Sequence, residues 1–84
     1  MNLVENQRLF NLGLCYTTGE GVEKDIGRAI GLWQEAAAKG FSPAQFNLGM
    51  LYFKGEGVAR NVGKAMELWD EAGIFSAISA TRVG

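Results

Sequence analysis

The sequence predicts an all-α protein made of two antiparallel helix pairs, and three observations support this fold class. The first is an internal repeat, because the motif Phe-Asn-Leu-Gly at 10–13 returns at 46–49. Of the 36 residue pairs that align 8–43 with 44–79, 15 are identical. The second is that apolar residues recur at helical spacing in each copy, and the third is that no segment alternates as a strand does. A repeat of this length predicts stacked copies of one supersecondary unit.

The first unit is predicted to contain two helices separated by a glycine turn. The apolar residues of its first helix follow the helical period. They are Leu3, Leu9, Phe10, Leu12 and Tyr16. Gly19 and Gly21 end this helix, since glycine tolerates the positive φ of a helix terminus, and Asp25 is the expected N-cap of the second helix. The second helix then carries an apolar stripe. It consists of Ile26, Ala29, Ile30, Trp33, Ala36 and Ala37.

The second unit repeats this order. Gly40 ends the helix before it, and the next helix is expected to begin with Ser42 as N-cap and Pro43 as its first residue. Asn61 stands where Asp25 stands and is predicted to cap the fourth helix in the same way. Residues 75–82 are expected to form part of a fifth helix.

Two glycines lie in the middle of predicted helices, where glycine is about 1 kcal/mol less favourable than alanine. They are Gly13 and Gly49. Their presence predicts that another helix passes at close range, with Ala29 and Ala65 as the small residues opposite. The two tryptophans, Trp33 and Trp69, are expected to fill the wider space one turn along.

The chain is predicted to be a single domain over 1–84, with a first repeat at about 8–43, a second at about 44–79 and a tail at 80–84. Its 84 residues include one cysteine, so no intrachain disulfide can form. Two repeat units leave two open ends, and about three units are usual for a stable array. We therefore expect a fragment of a longer array, a dimer or an adaptor that a partner stabilises.

The residue types argue against catalysis, a bound cofactor or a metal site. There is no histidine, so Cys15 has no imidazole to activate it, and it most simply fills an apolar position. The segment 57–65 resembles a phosphate-binding loop, but its glycine spacing is wrong and Ala65 lacks the hydroxyl that holds Mg²⁺. We predict no catalytic residues, no cofactor, no metal and no enzyme activity.

The net charge of −1 indicates that the chain does not bind nucleic acid, because proteins that do so usually carry a surplus of basic residues. The N-terminus lacks the pattern of a secretory signal, and no apolar run reaches the length of a membrane span. We expect a cytoplasmic protein that does not enter membranes, with a periplasmic or secreted location as the alternative.

A known family resembles this pattern over about residues 8–75. The residues that carry the resemblance are the run AQFNLGMLY at 44–52, then GEGV at 55–58, Lys64, Ala65, Trp69, Glu71 and Ala72. They closely resemble the Sel-like repeat family, a relative of the tetratricopeptide repeats. The resemblance implies a right-handed α/α solenoid that binds proteins or peptides. The chain departs from the pattern at Arg8, Gly73 and Ser76, and 74–84 leaves it altogether.

The resemblance also implies where a partner binds, because the first helix of each pair lines the concave face in such solenoids. The matching positions in this sequence are Phe10, Leu14, Thr17 and Thr18 in the first unit and Phe46, Met50, Phe53 and Lys54 in the second. Asn11 and Asn47 match a recurrent asparagine that either braces adjoining helices or contacts a ligand. Phe10 and Phe46 are equally compatible with core packing, and Met50 and Phe53 could also pack beneath a neighbouring unit.

Three functional hypotheses follow. The first is a non-catalytic interaction module or adaptor that binds a protein or peptide on the concave face. The second is a structural unit that self-associates, either as a homo-oligomer or within a longer array. The third, implied by the resemblance, is a regulatory or inhibitory partner of a bacterial enzyme or toxin.

Overall fold

The computed structural model describes residues 3–73, and this part of the chain contains four helices joined by turns. They are α1 (Leu3–Thr18), α2 (Ile26–Ala38), α3 (Ser42–Lys54) and α4 (Val62–Glu71). Each helix packs against the one that follows it in sequence, and this part of the chain contains no strand. The all-α fold and the four predicted helices are confirmed. The fifth helix expected at 75–82 lies outside the described residues.

The same turn closes both helix pairs. Gly19 and Gly55 follow α1 and α3 with φ of 79° and 73°, a left-handed conformation that glycine adopts without strain. Each turn ends on a backbone hydrogen bond to a tyrosine carbonyl. Asp25 N–H donates to Tyr16 O at 2.8 Å in the first unit, and Asn61 N–H donates to the equivalent Tyr52 O at 2.9 Å in the second.

The predicted caps of α2 and α4 are confirmed. The Asp25 carboxylate accepts from Arg28 N–H at 3.1 Å, and the Asn61 side-chain oxygen accepts from Lys64 N–H at 3.0 Å. Each side chain thereby satisfies one of the N–H groups that a helix start leaves unpaired.

The prediction that Ser42 caps α3 is wrong by one residue. The cap is Phe41, whose extended backbone (φ −76°, ψ 104°) precedes the helix and whose side chain makes no capping bond. Its carbonyl accepts from Ala44 N–H at 3.1 Å and from Gln45 N–H at 3.2 Å. Phe41 is buried in the core, so packing rather than a polar side chain fixes where α3 begins.

The hydrophobic core is centred on the junction between the two units. Its buried members come from α2, α3 and α4 and from the α2–α3 turn. They are Ile30, Trp33, Ala36, Phe41, Ala44, Leu48, Leu51 and Leu68. The apolar stripe predicted for α2 is confirmed, since Ala29, Ile30, Trp33 and Ala36 are its buried residues.

The apolar residues that predicted α1 are not all buried in it. Leu3 and Leu12 are exposed, and the buried residues of this helix are Asn6 and Gly13. Leu48, the equivalent of Leu12 in the second unit, is buried because α2 covers that face of α3. Within residues 3–73 no helix occupies the corresponding place against α1.

The mid-helix glycines mark close contacts, but the neighbour differs from the one predicted. A Cβ placed on Gly13 would lie 2.7 Å from Cδ1 of Trp33, and one placed on Gly49 would lie 2.6 Å from Cδ1 of Trp69. The indole rings therefore occupy the space above the glycines themselves, not a position one turn along. Ala29 and Ala65 are fully buried, but they are not the groups that the glycines meet.

Candidate functional site

The residues predicted to bind a partner lie on the first helix of each unit, α1 and α3. Residues three, four and seven positions apart share one face of a helix, so Phe10, Leu14 and Thr17 project from one side of α1. Phe46, Met50 and Phe53 occupy the equivalent side of α3. We refer to Leu14, Phe46, Met50 and Phe53 as the α1–α3 face.

Phe10 belongs largely to the packing of the molecule. Its ring lies 6.0 Å from that of Trp33 and 5.7 Å from that of Phe41, measured between centroids. Its carbonyl accepts a hydrogen bond from Trp33 Nε1–H at 3.1 Å. Phe10 is half-buried as a result, and its ring packs between α2 and the turn that follows it.

The other predicted binding residues on α1 are one apolar residue, Leu14, and two polar residues, Thr17 and Thr18. The Leu14 side chain is 38% exposed. Both threonine hydroxyls that follow it donate to the Leu14 carbonyl, Thr17 at 2.7 Å and Thr18 at 3.1 Å. These hydroxyl protons are used inside the helix, so Leu14 is the group on this side of α1 that offers contact area to a partner.

On α3 the aromatic side chains gather around Trp69. Phe46 and Phe53 lie 6.3 Å and 5.6 Å from the Trp69 ring, and they are 43% and 42% exposed. Trp69 Nε1–H donates to the Phe46 carbonyl at 3.2 Å, which repeats the bond between Trp33 and Phe10. The three rings form a partly exposed aromatic surface held by the α3–α4 pair.

Cationic groups border this aromatic surface. The Arg60 guanidinium lies 5.8 Å from the centre of the Phe53 ring, and its Nε–H donates to the Phe53 carbonyl at 3.0 Å. Lys54 is exposed in the last turn of α3, and Met50 is half-buried between the two phenylalanines in sequence. The arrangement offers apolar contact area next to positive charge.

The two asparagines singled out by the sequence differ in environment. Asn11 is exposed and its side-chain oxygen accepts from Gln7 Nε2–H at 3.0 Å, one turn earlier on α1. Asn47 is half-buried. The bond to Gln7 lies within α1, so it does not brace adjoining helices.

Sequence reasoning missed a second group of exposed apolar side chains at the two ends of the helix stack. Leu12 is exposed on α1, and Val62 and Met66 are exposed on α4. The signal for them was present in the repeat. Leu12 aligns with Leu48, and Met66 aligns with Ile30. Burial of a side chain at either of these repeat positions requires a neighbouring unit.

The described part of the chain contains no cluster of side chains that could hold a metal ion. No group of three or more histidine, cysteine or carboxylate side chains converges there on a common point. Cys15 is a half-buried free thiol beside Leu12. Among residues 3–73, no helix has both the length and the hydropathy that a membrane crossing requires.

Stacked helix pairs with identical turns, caps and tryptophan contacts define a helical-repeat protein. The particular family is the Sel1 repeat, whose model matches residues 9–41 and 42–73. The chain belongs to this family, which confirms the resemblance seen in the sequence. Sel1 repeats generally act as protein-interaction modules without catalytic activity.

A solved structure shares both fold and sequence with this chain. The Sel1 repeat protein from Oxalobacter formigenes superposes with a TM-score of 0.79 at 37% identity, over 81% of this chain and 28% of that one. DAP3-binding cell death enhancer 1 is a curated relative, 44% identical in Rattus norvegicus and 42% in Mus musculus, in each case over 41 residues. That match covers 49% of this chain and 8% of each relative, so the chain spans a small part of those proteins.

Proposed function

We propose that this chain is a non-catalytic module that binds a segment of another protein through the α1–α3 face. One observation carries the proposal: Leu14, Phe46 and Phe53 expose roughly two fifths of their side chains on the first helices of the two units. Exposed aromatic and aliphatic side chains that lie close together are typical of interaction sites.

The surface is suited to binding because its aromatic residues are held in place before a partner arrives. Phe46 and Phe53 both pack on Trp69, whose indole is fixed by its hydrogen bond to the Phe46 carbonyl. Side chains that are already ordered lose less conformational entropy on binding.

The chemistry of the surface indicates the kind of segment that it would accept. Arg60 lies beside the Phe53 ring and Lys54 is exposed in the last turn of α3, and neither makes an ion pair within the described residues. A segment with apolar side chains flanked by aspartate or glutamate would satisfy both parts of the surface. Family membership supports a protein as the partner, and the rat and mouse relatives are named for binding DAP3.

The proposal can be tested with a matched pair of variants on α1. Leu12 and Leu14 are the same residue type, are 41% and 38% exposed, and point about 200° apart around the helix. A peptide selected from a displayed library against the 84-residue chain would be labelled and titrated by fluorescence anisotropy. Leu14→Glu should weaken its binding at least tenfold, and Leu12→Glu should leave it unchanged.

Phe53→Ser provides a second variant, on α3, and should also weaken binding of the peptide. Circular dichroism would confirm that each variant is folded. If Leu14→Glu and Phe53→Ser both bind the peptide as the unmodified chain does, the assignment of the α1–α3 face is wrong.

A further inference from the structure

The two ends of the helix stack carry exposed apolar side chains that lie outside the α1–α3 face. We call Arg8, Leu12, Cys15 and Gly21 the α1 end, and Val62, Met66 and Asp70 the α4 end. Leu12 is 41% exposed and Met66 is 50% exposed. The internal junction between the two units shows which residues cover the equivalent positions there.

At the internal junction α2 of the first unit packs on α3 of the second. Leu48 on α3 is 3% exposed and Ile30 on α2 is 8% exposed. Their equivalents in the other unit are Leu12 on the α1 end and Met66 on the α4 end. The α1 end thus has the residue that α2 covers, and the α4 end has the residue that does the covering.

The glycine turns repeat this relation. A Cβ on Gly57 would meet the side chains of Ile26 and Ile30, so this turn packs closely on α2. Gly21 has nearly the same φ, 78° against 75°, but no atom of the described residues lies within 4 Å of a Cβ placed there. The residues that would fill this space by equivalence are Val62 and Met66, which are the exposed residues of the α4 end.

Where the ends depart from the internal junction, charged side chains replace uncharged ones. Ala44 is fully buried at the junction, and its equivalent on the α1 end is Arg8. On the α4 end Asp70 replaces Gln34, a residue beside the junction, and Gly73 replaces the larger Ala37. A basic side chain is thus added on one end, and an acidic residue and extra space are added on the other.

One contact of the internal junction has no counterpart at the ends. Gln45 Nε2–H donates to the Ala37 carbonyl at 3.2 Å and ties α3 to α2. Its equivalent on α1 is Leu9, which cannot donate. An end-to-end contact therefore retains the apolar positions Leu12, Val62 and Met66 but lacks this hydrogen bond. It also has Glu5 and Arg8 where the junction has Phe41 and Ala44, so its formation should depend on concentration.

From these equivalences we propose that a second copy of this chain docks end to end, with the α4 end of one copy on the α1 end of the next. The contact is heterologous, since two different surfaces meet. It leaves a free end on each side of the pair, so further copies can add in the same direction. The proposal uses surfaces separate from the α1–α3 face and does not depend on it.

The test exploits the two different ends. Leu12→Glu should prevent docking through the α1 end and leave the α4 end intact. Met66→Glu should prevent docking through the α4 end and leave the α1 end intact. Both residues are exposed, so both variants should fold, which circular dichroism would verify. Sedimentation velocity from micromolar to millimolar concentration would compare the unmodified chain, each variant, and an equimolar mixture of the two variants.

We expect the unmodified chain to form dimers and larger species as concentration rises, and each variant alone to remain monomeric. The mixture should form a dimer with one copy of each variant and nothing larger. Leu14→Glu should associate as the unmodified chain does. A monomeric unmodified chain, a dimer that persists in both single variants, a mixture that stays monomeric, or loss of association in Leu14→Glu would each overturn the proposal.

Discussion

At the scale of single residues, the pairing of a glycine with a tryptophan organises each unit. The indole of Trp33 lies directly over Gly13, and its Nε1–H donates to the Phe10 carbonyl at 3.1 Å. A side chain at the glycine position would hold the ring away from the helix backbone and break this bond. The glycine therefore allows a large aromatic group to bury its polar atom with a partner.

Gly13→Ala should destabilise the protein by about 1–3 kcal/mol, because the added methyl group would overlap the Trp33 ring in a packed interior. Urea denaturation followed by circular dichroism would measure the change. Gly31→Ala on α2 is the matched control, since nothing lies within 4 Å of a Cβ there. This control should stabilise the protein by about 0.5–1 kcal/mol through the higher helix propensity of alanine. Equal stability of the two variants would contradict the role assigned to the contact.

Sequence reasoning identified Gly13 and Gly49 as close contacts, because an unfavourable residue in the middle of a helix needs a reason. It assigned the wrong neighbour, since the position of an indole ring depends on the rotamer of Trp33 or Trp69. The residue pattern alone contains no information on that rotamer. The buried side chain of Asn6, which has no hydrogen-bond partner among residues 3–73, was likewise not predicted, since α1 carries more strongly apolar residues nearby.

At the scale of the helices, two kinds of helix start coexist. The helices α2 and α4 begin at a polar cap, Asp25 or Asn61, that follows a glycine turn. The helix α3 begins at the buried Phe41. A chain that leaves a turn exposed to solvent requires a side chain to fix the first helical turn, whereas a chain anchored in the core does not.

Asn61→Ala should lower the free energy of unfolding by about 1 kcal/mol, the usual effect of losing an N-cap hydrogen bond. Ser42→Ala removes the cap that the sequence predicted for α3, and it should change stability very little because Ser42 makes no capping bond. Thermal denaturation of both variants beside the unmodified chain would provide the comparison. A larger loss in Ser42→Ala than in Asn61→Ala would show that the caps are assigned incorrectly.

The number and order of the helices followed from the sequence, because glycine turns and apolar periodicity are local signals. Which residues of α1 are buried did not follow from the sequence. Leu12 and Leu48 occupy equivalent positions with the same local pattern, and what differs is the helix packed against them. Which residues of a repeat are buried thus depends on neighbouring units, which periodicity cannot reveal.

At the scale of the whole molecule, stability is concentrated in the middle. The helix α2 packs on both α1 and α3, and α3 packs on both α2 and α4. Within residues 3–73, α1 and α4 each have one such neighbour. In an array where units contact only their neighbours, the outer elements open more easily than the inner ones.

Amide hydrogen exchange should therefore be slowest in α2 and α3 and faster in α1 and α4. Mass spectrometry of peptides from the exchanged chain, at a concentration low enough to prevent association, would measure the four rates. Leu48→Ala should speed exchange throughout, whereas the equivalent change Leu12→Ala should have little effect. Slowest exchange in α4 would contradict a core centred on the internal junction.

The class of function was accessible from the sequence, since the repeat, the absence of histidine and the family motif all indicated an interaction module. The predicted binding residues were a mixture that only the packing separates. Phe10 packs on Trp33 and Phe41, the threonine hydroxyls bond within α1, and Leu14, Phe46 and Phe53 offer exposed area. The two open ends also followed from the repeat, but the residues exposed there, Leu12, Val62 and Met66, were not identified.

The junction between the units also determines how such a chain can lengthen. Duplicating the block 26–61 in place would put Asn61 before a second Ile26, a position where Asn61 and Asp25 already serve the same role. The junction between the added α2 and the added α3 would copy the existing one, including the glycine turn against α2. The first α3 would pair with the added α2 in place of α4, and Trp33 would stand where Trp69 now packs on Gly49. Adding a unit before α1 would instead place it against Arg8, where the internal junction has Ala44. Duplication within the array therefore repeats the existing junction between units, whereas growth at its start requires new residues.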